Sequence, residues 1–183
     1  MAKRQGLTIV YTGDGKGKTS AALGAAMRAL GHGWKVLMIQ FLKGDWPVVY
    51  GEVELAKKLH PQFEVLQLGR GFVKIMGDKK PFAEHVEAAQ AALQLTRERL
   101  LSGNYDLVIL DEVIYALGYL DFKLIELKDV LQLIKEKPPQ THLILTGRNA
   151  PPEIVEAADL VTEMREVKHP MKRGIPAQQG VDY

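Results

Sequence analysis

The stretch Thr12-Gly13-Asp14-Gly15-Lys16-Gly17-Lys18-Thr19-Ser20 decides the fold of this chain. It follows a short apolar run, residues 7–11, which predicts a buried strand, and it leads into an alanine-rich segment, residues 21–30, which predicts a helix. Glycines at such a junction let backbone N–H groups turn toward phosphate oxygens, and the helix adds the positive end of its dipole. The stretch therefore predicts a phosphate-binding loop.

The loop supplies most of the expected nucleotide contacts. Lys18 would reach the phosphate oxygens, and the hydroxyl of Thr19 would hold Mg²⁺. The residues expected to bind the nucleotide from this loop are Gly13, Asp14, Gly15, Lys16, Gly17, Lys18, Thr19 and Ser20. The usual pattern has its first glycine at the position of Thr12, so the first glycine here comes one position late. The match therefore rests on Gly-Lys-Thr and its strand–helix context.

Composition restricts the remaining possibilities. The chain has 183 residues, 46% of them hydrophobic and 25% charged, which is ordinary for a globular protein of one domain. A net charge of +2 gives no support for general nucleic-acid binding. The absence of cysteine excludes disulfides, thiolate metal sites and cysteine catalysis. No secretory signal or membrane-length apolar run is evident, so a cytoplasmic protein without a membrane anchor is expected.

Apolar runs alternate with helical segments along the whole chain. Further strands are predicted at residues 35–42, 63–68, 105–110, 141–146 and 160–164, and helices at 52–59, 83–101, about 124–134 and after Pro151. Strands that alternate with helices imply a parallel sheet. The prediction is an α/β, P-loop NTPase-like, doubly wound and mainly parallel six-stranded sheet with helices on both faces, spanning residues 1–183 as a single domain.

The carboxyl ends of the predicted strands collect further candidates, because ligands bind there in such sheets. Asp111 and Glu112 end the apolar fourth strand in the manner of a Walker B segment, in which one carboxylate holds Mg²⁺. Arg148 follows the fifth strand, where it can touch phosphates or form a surface ion pair. Phe72 lies in a glycine-flanked loop after the third strand, where it either contacts a ligand or docks on the core.

These residues predict a site for Mg²⁺ and a nucleoside triphosphate, but they do not identify the reaction. A P-loop ATPase would use the two carboxylates to activate water, and a nucleotide-dependent binding module would bind ATP without turnover. A nucleoside kinase is less favoured, since no arginine-rich lid segment is evident. The histidines His32, His60, His85 and His142 show no metal-ligand spacing and are expected to be bystanders.

Taken together, the motifs resemble those of the P-loop corrinoid adenosyltransferases, the ATP:cob(I)alamin family. The resemblance covers almost the entire chain and includes the late first glycine of the loop, which that family shares. The other matching segments are Gln-Phe-Leu-Lys-Gly-Asp-Trp-Pro (40–47), Gly-Phe (71–72), Val-Ile-Leu-Asp-Glu-Val (108–113), Leu-Thr-Gly-Arg (145–148), Val-Lys-His (167–169) and Gly-Val-Asp-Tyr (180–183).

The resemblance implies transfer of the 5′-deoxyadenosyl group of ATP to Co(I) of a reduced corrinoid, with triphosphate leaving. Lys18, Phe72 and Glu112 would be the catalytic residues, and Thr19 and Glu112 would hold Mg²⁺ with support from Asp111. Phe72 would belong to an apolar wall that excludes the lower cobalt ligand and makes Co(II) easier to reduce. The chain departs from well-known relatives at Lys74, where they carry a second aromatic residue.

The resemblance also implies partners. The substrates would be ATP and a corrinoid, and the electron for cobalt would come from an external flavoprotein, since nothing in the sequence binds flavin or an iron–sulfur cluster. Members of the family often work as dimers, so a homodimer is expected. The motifs leave open which corrinoid is the acceptor and whether the pathway is synthesis or salvage.

Overall fold

The computed structural model describes residues 4–45, 48–74, 77–118 and 122–183. Six strands form one sheet, and their bounds are β1 (Thr8–Thr12), β2 (Val36–Gly44), β3 (Phe63–Gly69), β4 (Leu107–Asp111), β5 (His142–Thr146) and β6 (Leu160–Glu163). The helices are α1 (Lys18–Gly31), α2 (Gly51–Leu59), α3 (Phe82–Leu101), α4 (Val113–Leu117), α5 (Leu127–Glu136) and α6 (Pro152–Ala157).

The sheet is parallel throughout, with the strand order β3-β2-β4-β5-β1-β6. The central strand β4 is buried at every position, as expected of a strand with neighbours on both sides and helices on both faces. The edge strand β6 is exposed at every position, which explains why its sequence pattern is weaker. The predicted doubly wound α/β sheet is confirmed.

Alternate residues of strands β1 to β5 supply two separate cores. In β2, Leu37 and Ile39 pack with helices α3, α4, α5 and α6, whereas Val36 and Met38 pack with α1 and α2. The apolar first half of β2, residues 36–39, follows from this arrangement, because each of its side chains meets a helix on one face or the other. The buried polar residues Gln40, Asp111 and Thr146 lie toward the carboxyl ends of their strands, the edge of a parallel sheet where ligands bind.

The region after β4 differs from the sequence prediction. A short helix, α4, occupies residues for which the sequence analysis predicted no element, and helix α5 begins at Leu127 rather than near Leu124. The N–H groups of Leu124 and Ile125 instead donate to the carbonyl oxygen of Ala116, at 2.9 and 3.2 Å. Both side chains are buried, so their apolar character reflects packing under α4 and not a helical face.

The segment after β6 has little regular structure, in agreement with its irregular sequence. Its described elements include a 3₁₀ turn at Pro170–Arg173, and most of its side chains are exposed. Near the carboxyl terminus, Asp182 forms an ion pair with Lys16 of the phosphate-binding loop. The terminal Gly-Val-Asp-Tyr sequence is thus brought back to the site by the fold. Within the described ranges, no helix has the length and apolar character needed to cross a membrane.

Candidate active site

The predicted site residues converge at the carboxyl edge of the sheet. The loop between β1 and α1 carries Lys18 and Thr19, β4 ends at Asp111, and Arg148 follows β5. These strands are neighbours in the order β4-β5-β1, so residues far apart in sequence lie side by side. Hydrogen bonds and ion pairs connect them, as described below.

The side chain of Lys18 folds back into the phosphate-binding loop. It is the first residue of α1 and is 7% exposed, and its ammonium donates to the carbonyl oxygens of Gly13 and Gly15 at 2.7 and 2.8 Å. Burial lowers the pKa of Lys18, an effect that the negative charge of Glu112 opposes. The loop therefore holds a partly desolvated cation at the place expected for phosphates.

Asp111 is the centre of a buried hydrogen-bond network. Its carboxylate is fully buried, and Oδ1 accepts from the hydroxyls of Thr19 at 2.7 Å and Thr146 at 2.9 Å. Oδ2 lies 3.4 Å from the ammonium of Lys43 and accepts from Gln40 Nε2 at 3.4 Å. Donors thus surround both oxygens of Asp111, which suits it to hold Thr19 in place.

Sequence reasoning placed Lys43 at this edge of the sheet but did not identify Lys43 or Gln40 of β2 as partners of Asp111. Lys43 is 15% exposed in its side chain, lies 3.3 Å from the carboxylate of Glu52, and has its ammonium 4.5 Å from the centre of the Tyr50 ring. Burial disfavours the charged lysine, but Asp111 and Glu52 outweigh that effect and raise its pKa. The available signal was the presence of Gln40 and Lys43, polar residues at the carboxyl end of an otherwise apolar strand.

Glu112 occupies a strained position beside Asp111. Its backbone is left-handed, with φ of 61°, and its N–H donates to the hydroxyl of Thr146 at 2.9 Å. Burial, reinforced by the charge of Asp111, raises the pKa of Glu112 to about 7. A carboxyl group that resists ionisation in the absence of a counter-ion is suited to bind a cation.

The raised pKa of Glu112 gives a pH-dependent stability. The folded state favours the protonated carboxyl of Glu112. Protonation therefore stabilises the fold fully below pH ~4.5, and this stabilisation is lost as the pH rises through about 7. As the pH rises from ~4.5 to about 7, we expect the unfolding free energy of Glu112→Gln to increase relative to that of the wild type, by up to ~3 kcal/mol. Urea titrations with chelator and without nucleotide would measure this difference. Parallel pH profiles for the two proteins would contradict the prediction.

Arg148 and Lys16 flank the loop. The guanidinium of Arg148 lies 3.8 Å from the carboxylate of Asp14. Its positive charge adds to the lowering of the Lys18 pKa by burial and opposes the rise in the Glu112 pKa. Lys16 is about half exposed and pairs with Asp182. Arg148 is therefore close to the predicted phosphate site, whereas Lys16 connects the loop to the carboxyl-terminal segment.

The glycines of the loop have a second role that the sequence did not reveal. The N–H of Gly15 donates to the carbonyl oxygen of Met164 at 2.7 Å, and the N–H of Met164 donates to the carbonyl oxygen of Thr12 at 2.8 Å. A Cβ atom on Gly13 would lie 2.4 Å from the Met164 oxygen. The absence of side chains therefore lets the loop pack against the chain that leaves β6.

We expect Gly13→Ala to destabilise the protein by about 2–4 kcal/mol, because the methyl group overlaps main-chain atoms and the φ of +94° is unfavourable for alanine. Gly24→Ala is the matched control. Gly24 lies within α1 with no atom within 4 Å of an added Cβ, so that change should stabilise by ~0.5–1 kcal/mol. Chemical denaturation of both variants measures the effects. A stability loss at Gly13 no larger than 1 kcal/mol would show that the loop can move away from Met164.

Phe72 lies in the loop after β3, whose described residues, 70–74 and 77–80, are here called the Phe72 loop. Its ring is partly buried and packs edge-on against Tyr115 of α4, with ring centres 5.7 Å apart. Because α4 begins directly after Glu112, this contact connects Phe72 to the carboxylate pair. The ammonium of Lys74 lies 4.8 Å from the centre of the Phe122 ring. An aromatic residue from another segment thus lies beside Lys74, the position at which well-known relatives carry an aromatic residue. Trp46 and Pro47, of the motif at residues 40–47, lie outside the described residues.

The described side chains contain no cluster of three or more His, Cys, Asp or Glu residues arranged to hold a metal ion by themselves. Mg²⁺ beside a nucleotide needs few protein ligands, since phosphates and water supply the rest. The Thr19 hydroxyl, 2.7 Å from Asp111, and the carboxyl of Glu112 are oxygen donors of the kind that Mg²⁺ prefers. The donor set therefore fits this ion.

Comparisons with known proteins cover nearly the whole chain. A sequence model of the family described as ATP:corrinoid adenosyltransferase BtuR/CobO/CobP matches residues 4–183. The corrinoid adenosyltransferase of Escherichia coli K12 is 40% identical over 179 residues, which cover 98% of this chain and 86% of that protein. The corrinoid adenosyltransferase of a Sinorhizobium species is 41% identical over 181 residues, covering 98% and 81%. Corrinoid adenosyltransferase CobA of Salmonella typhimurium LT2 is 36% identical over 181 residues, covering 99% and 87%.

Proposed function

Because this chain belongs to the ATP:corrinoid adenosyltransferase family, which transfers the adenosyl group of ATP to a corrinoid, we propose that the carboxyl edge of its sheet is the site of that transfer. The observation that carries the proposal is the connected set of Lys18, Thr19, Asp111 and Glu112 beside the phosphate-binding loop. The set combines a lysine cation for the leaving triphosphate with oxygen ligands for the metal ion that would accompany it.

In the proposed reaction, the lone pair of Co(I) attacks the ribose C5′ of ATP. A Co–C bond forms, the C5′–O bond breaks, and inorganic triphosphate leaves with the bonding electrons. The nucleophile belongs to the corrinoid, so the protein needs no general base. Its task is to hold the triphosphate and to balance the charge that develops on it. Lys18, the loop residues Gly13 to Ser20, and Arg148 are proposed to do this.

Thr19 and Glu112 are proposed to hold Mg²⁺, and Asp111 to position Thr19. When bound, Mg²⁺ would neutralise negative charge on the triphosphate. The raised pKa of Glu112 supports this assignment, because a cation beside the carboxyl removes the electrostatic penalty of ionising it next to Asp111. Neither hydroxyl nor carboxyl oxygen is asked to move a proton in the transfer step.

Phe72 is proposed to form part of the wall against which the corrinoid lies. Its partial exposure leaves the ring accessible, and the edge-on contact with Tyr115 limits its orientation. An apolar wall beside the cobalt would exclude a lower axial ligand and thereby favour reduction of Co(II). Lys74 and Phe122, which contact each other, are proposed to take the part in this wall that a second aromatic residue has in well-known relatives.

We expect Phe72→Ala to slow adenosylation that starts from Co(II) by about tenfold more than adenosylation that starts from chemically prepared Co(I). The reason is that the ring is proposed to act on the reduction step and not on the displacement at C5′. Anaerobic rates from both starting states, followed by the visible spectrum of the corrinoid, measure the ratio. Equal slowing of the two rates would remove the assigned role.

The remaining features of the proposal concern the surroundings of the reaction. Residues 1–183 are proposed to form one adenosyltransferase domain that works as a homodimer in the cytoplasm. The electron that reduces cobalt is proposed to come from an external flavoprotein. Sedimentation analysis tests the dimer, and reconstitution with a reduced flavoprotein tests the electron donor.

The decisive test of the function is anaerobic incubation of the protein with MgATP and cob(I)alamin. The expected result is a light-sensitive adenosylcobalamin spectrum and one triphosphate for each adenosyl group transferred. Release of phosphate without a spectral change would favour an ATPase, and no product at all would favour a binding module. The same assay with other corrinoids would identify the preferred acceptor.

A further inference from the structure

Asp78 and His85 form a buried pair away from the phosphate-binding loop. Their side chains are 7% and 1% exposed, and Asp78 Oδ2 lies 3.0 Å from His85 Nε2. Asp78 belongs to the Phe72 loop, and His85 lies in the first turn of α3. The pair therefore attaches the loop to a helix whose own core face is formed by small residues such as Ala89 and Ala92.

Asp78 also binds the main chain of the Phe72 loop. Its Oδ2 accepts from the N–H of Lys74 at 2.9 Å, and its Oδ1 accepts from the N–H of Lys80 at 3.2 Å. These donors and the neighbouring His85 overcome the effect of burial and lower the pKa of Asp78, so the carboxylate is ionised and accepts only. One side chain thus joins two points of the loop to helix α3.

The bond to Lys74 coincides with a strained backbone position. Lys74 has φ of 55°, in the left-handed region, which is unfavourable for a non-glycine residue. Such a strained conformation persists only where the surroundings impose it, and it is often associated with a functional site. Asp78 supplies the restraint through the N–H of Lys74 itself.

The restraint is close to Phe72. Val73, between Phe72 and Lys74, is 1% exposed and packs in the main core. The peptide bond between Val73 and Lys74 is therefore held on one side by the Val73 side chain and on the other by the bond from Lys74 N–H to Asp78. The direction in which the chain leaves Phe72 is then determined by a buried side chain and by the Asp78 bond. With that direction restrained, the ring meets Tyr115 edge-on.

We propose that Asp78, held by His85, is a positioning residue for corrinoid reduction: it imposes the left-handed turn at Lys74 and so keeps Phe72 against Tyr115. This inference rests on the proposed role of Phe72. It assigns a task to His85 that its isolated place in the sequence did not suggest. Neither residue needs to touch the corrinoid or ATP.

Hydrogen exchange of the loop amides tests the restraint without using the reaction. We expect Asp78→Ala to accelerate exchange at Lys74 and Lys80 by at least about tenfold, with a smaller effect from His85→Ala. Asp78→Asn keeps an acceptor oxygen and should preserve more protection, and it serves as the test variant if the alanine variant does not fold. Glu84→Ala, which removes an exposed carboxylate from the same turn of α3, is the matched control and should leave exchange unchanged.

A double-mutant cycle tests the connection to Phe72. Asp78→Ala should lower the Co(II)-started rate about tenfold more than the Co(I)-started rate, with the KM for ATP unchanged. The variant that combines Asp78→Ala with Phe72→Ala should be no slower than Phe72→Ala alone, because both changes remove the same ordered ring. A merely structural effect would multiply the two losses and lower both rates together.

The outcomes separate this inference from the proposed role of Phe72. Unchanged amide exchange in the Asp78 variants, or multiplied losses in the cycle, overturns the positioning role. A rate ratio that changes in Phe72→Ala but not in Asp78→Ala overturns the positioning role alone. If the ratio changes in Asp78→Ala but not in Phe72→Ala, the route through Phe72 is overturned together with its assigned role in reduction.

Discussion

Lys18→Ala is expected to abolish ATP-dependent adenosylation, with kcat/KM for ATP reduced by at least about 10³-fold. The ammonium is buried inside the loop and held by the carbonyl oxygens of Gly13 and Gly15. Its removal takes away the cation that the loop encloses, and it leaves two carbonyl groups without that donor. Steady-state kinetics with preformed Co(I) measure the loss separately from cobalt reduction.

Lys16→Ala is the matched control for this experiment. Lys16 lies two positions earlier in the same loop but is about half exposed and pairs with Asp182. Because this half-exposed ammonium is screened by water and already paired with Asp182, we expect it to contribute less to holding the triphosphate than Lys18, and its loss to change activity by less than about tenfold. Similar losses in the two variants would mean that total loop charge matters and not the enclosed ammonium. Full activity in Lys18→Ala would remove the loop from the mechanism.

Asp111→Asn is expected to reduce kcat/KM by about 10²-fold or more and to destabilise the protein by about 2–4 kcal/mol. The substitution replaces a fully buried carboxylate that accepts from Thr19 and Thr146 and faces Lys43. The amide group of asparagine would put an N–H donor next to the donors that Asp111 accepts from. Lys43 would keep Glu52 as its one carboxylate partner among the described residues. Thr19 would lose its fixed orientation as a result.

Asp106→Asn separates the two effects. Asp106 immediately precedes β4 and accepts from Arg4 and from the N–H of Lys35, at the end of the strand opposite the site. We expect this variant to lose stability while its activity per folded molecule stays within about twofold of wild type. Denaturation curves and kinetics on both variants provide the comparison. An Asp111→Asn enzyme that is destabilised yet fully active would show that the buried network serves folding only.

Much of this protein follows from local sequence. The glycine-rich loop between an apolar run and a helix, and the alternation of strands and helices, lead to the doubly wound sheet without tertiary information. The loop residues, Asp111-Glu112 and Arg148 could be selected because they occur where strands end, and in a parallel sheet those ends share one edge. The chain-wide set of motifs indicated the adenosyltransferase family, which the comparisons confirm.

Other features required the fold because they depend on contacts between distant segments. Lys43 and Glu52 become partners of Asp111 only when β2 lies beside β4, and Asp78 meets His85 only when the Phe72 loop folds onto α3. No element was predicted at helix α4, since a buried five-residue segment is too short to show a helical period. Periodicity reports which face is buried, but hydrogen-bond partners of buried charges are set by the three-dimensional neighbours. For that reason sequence alone determined the scaffold and the chemical class, whereas the tertiary structure decided how the carboxylates and Phe72 are held.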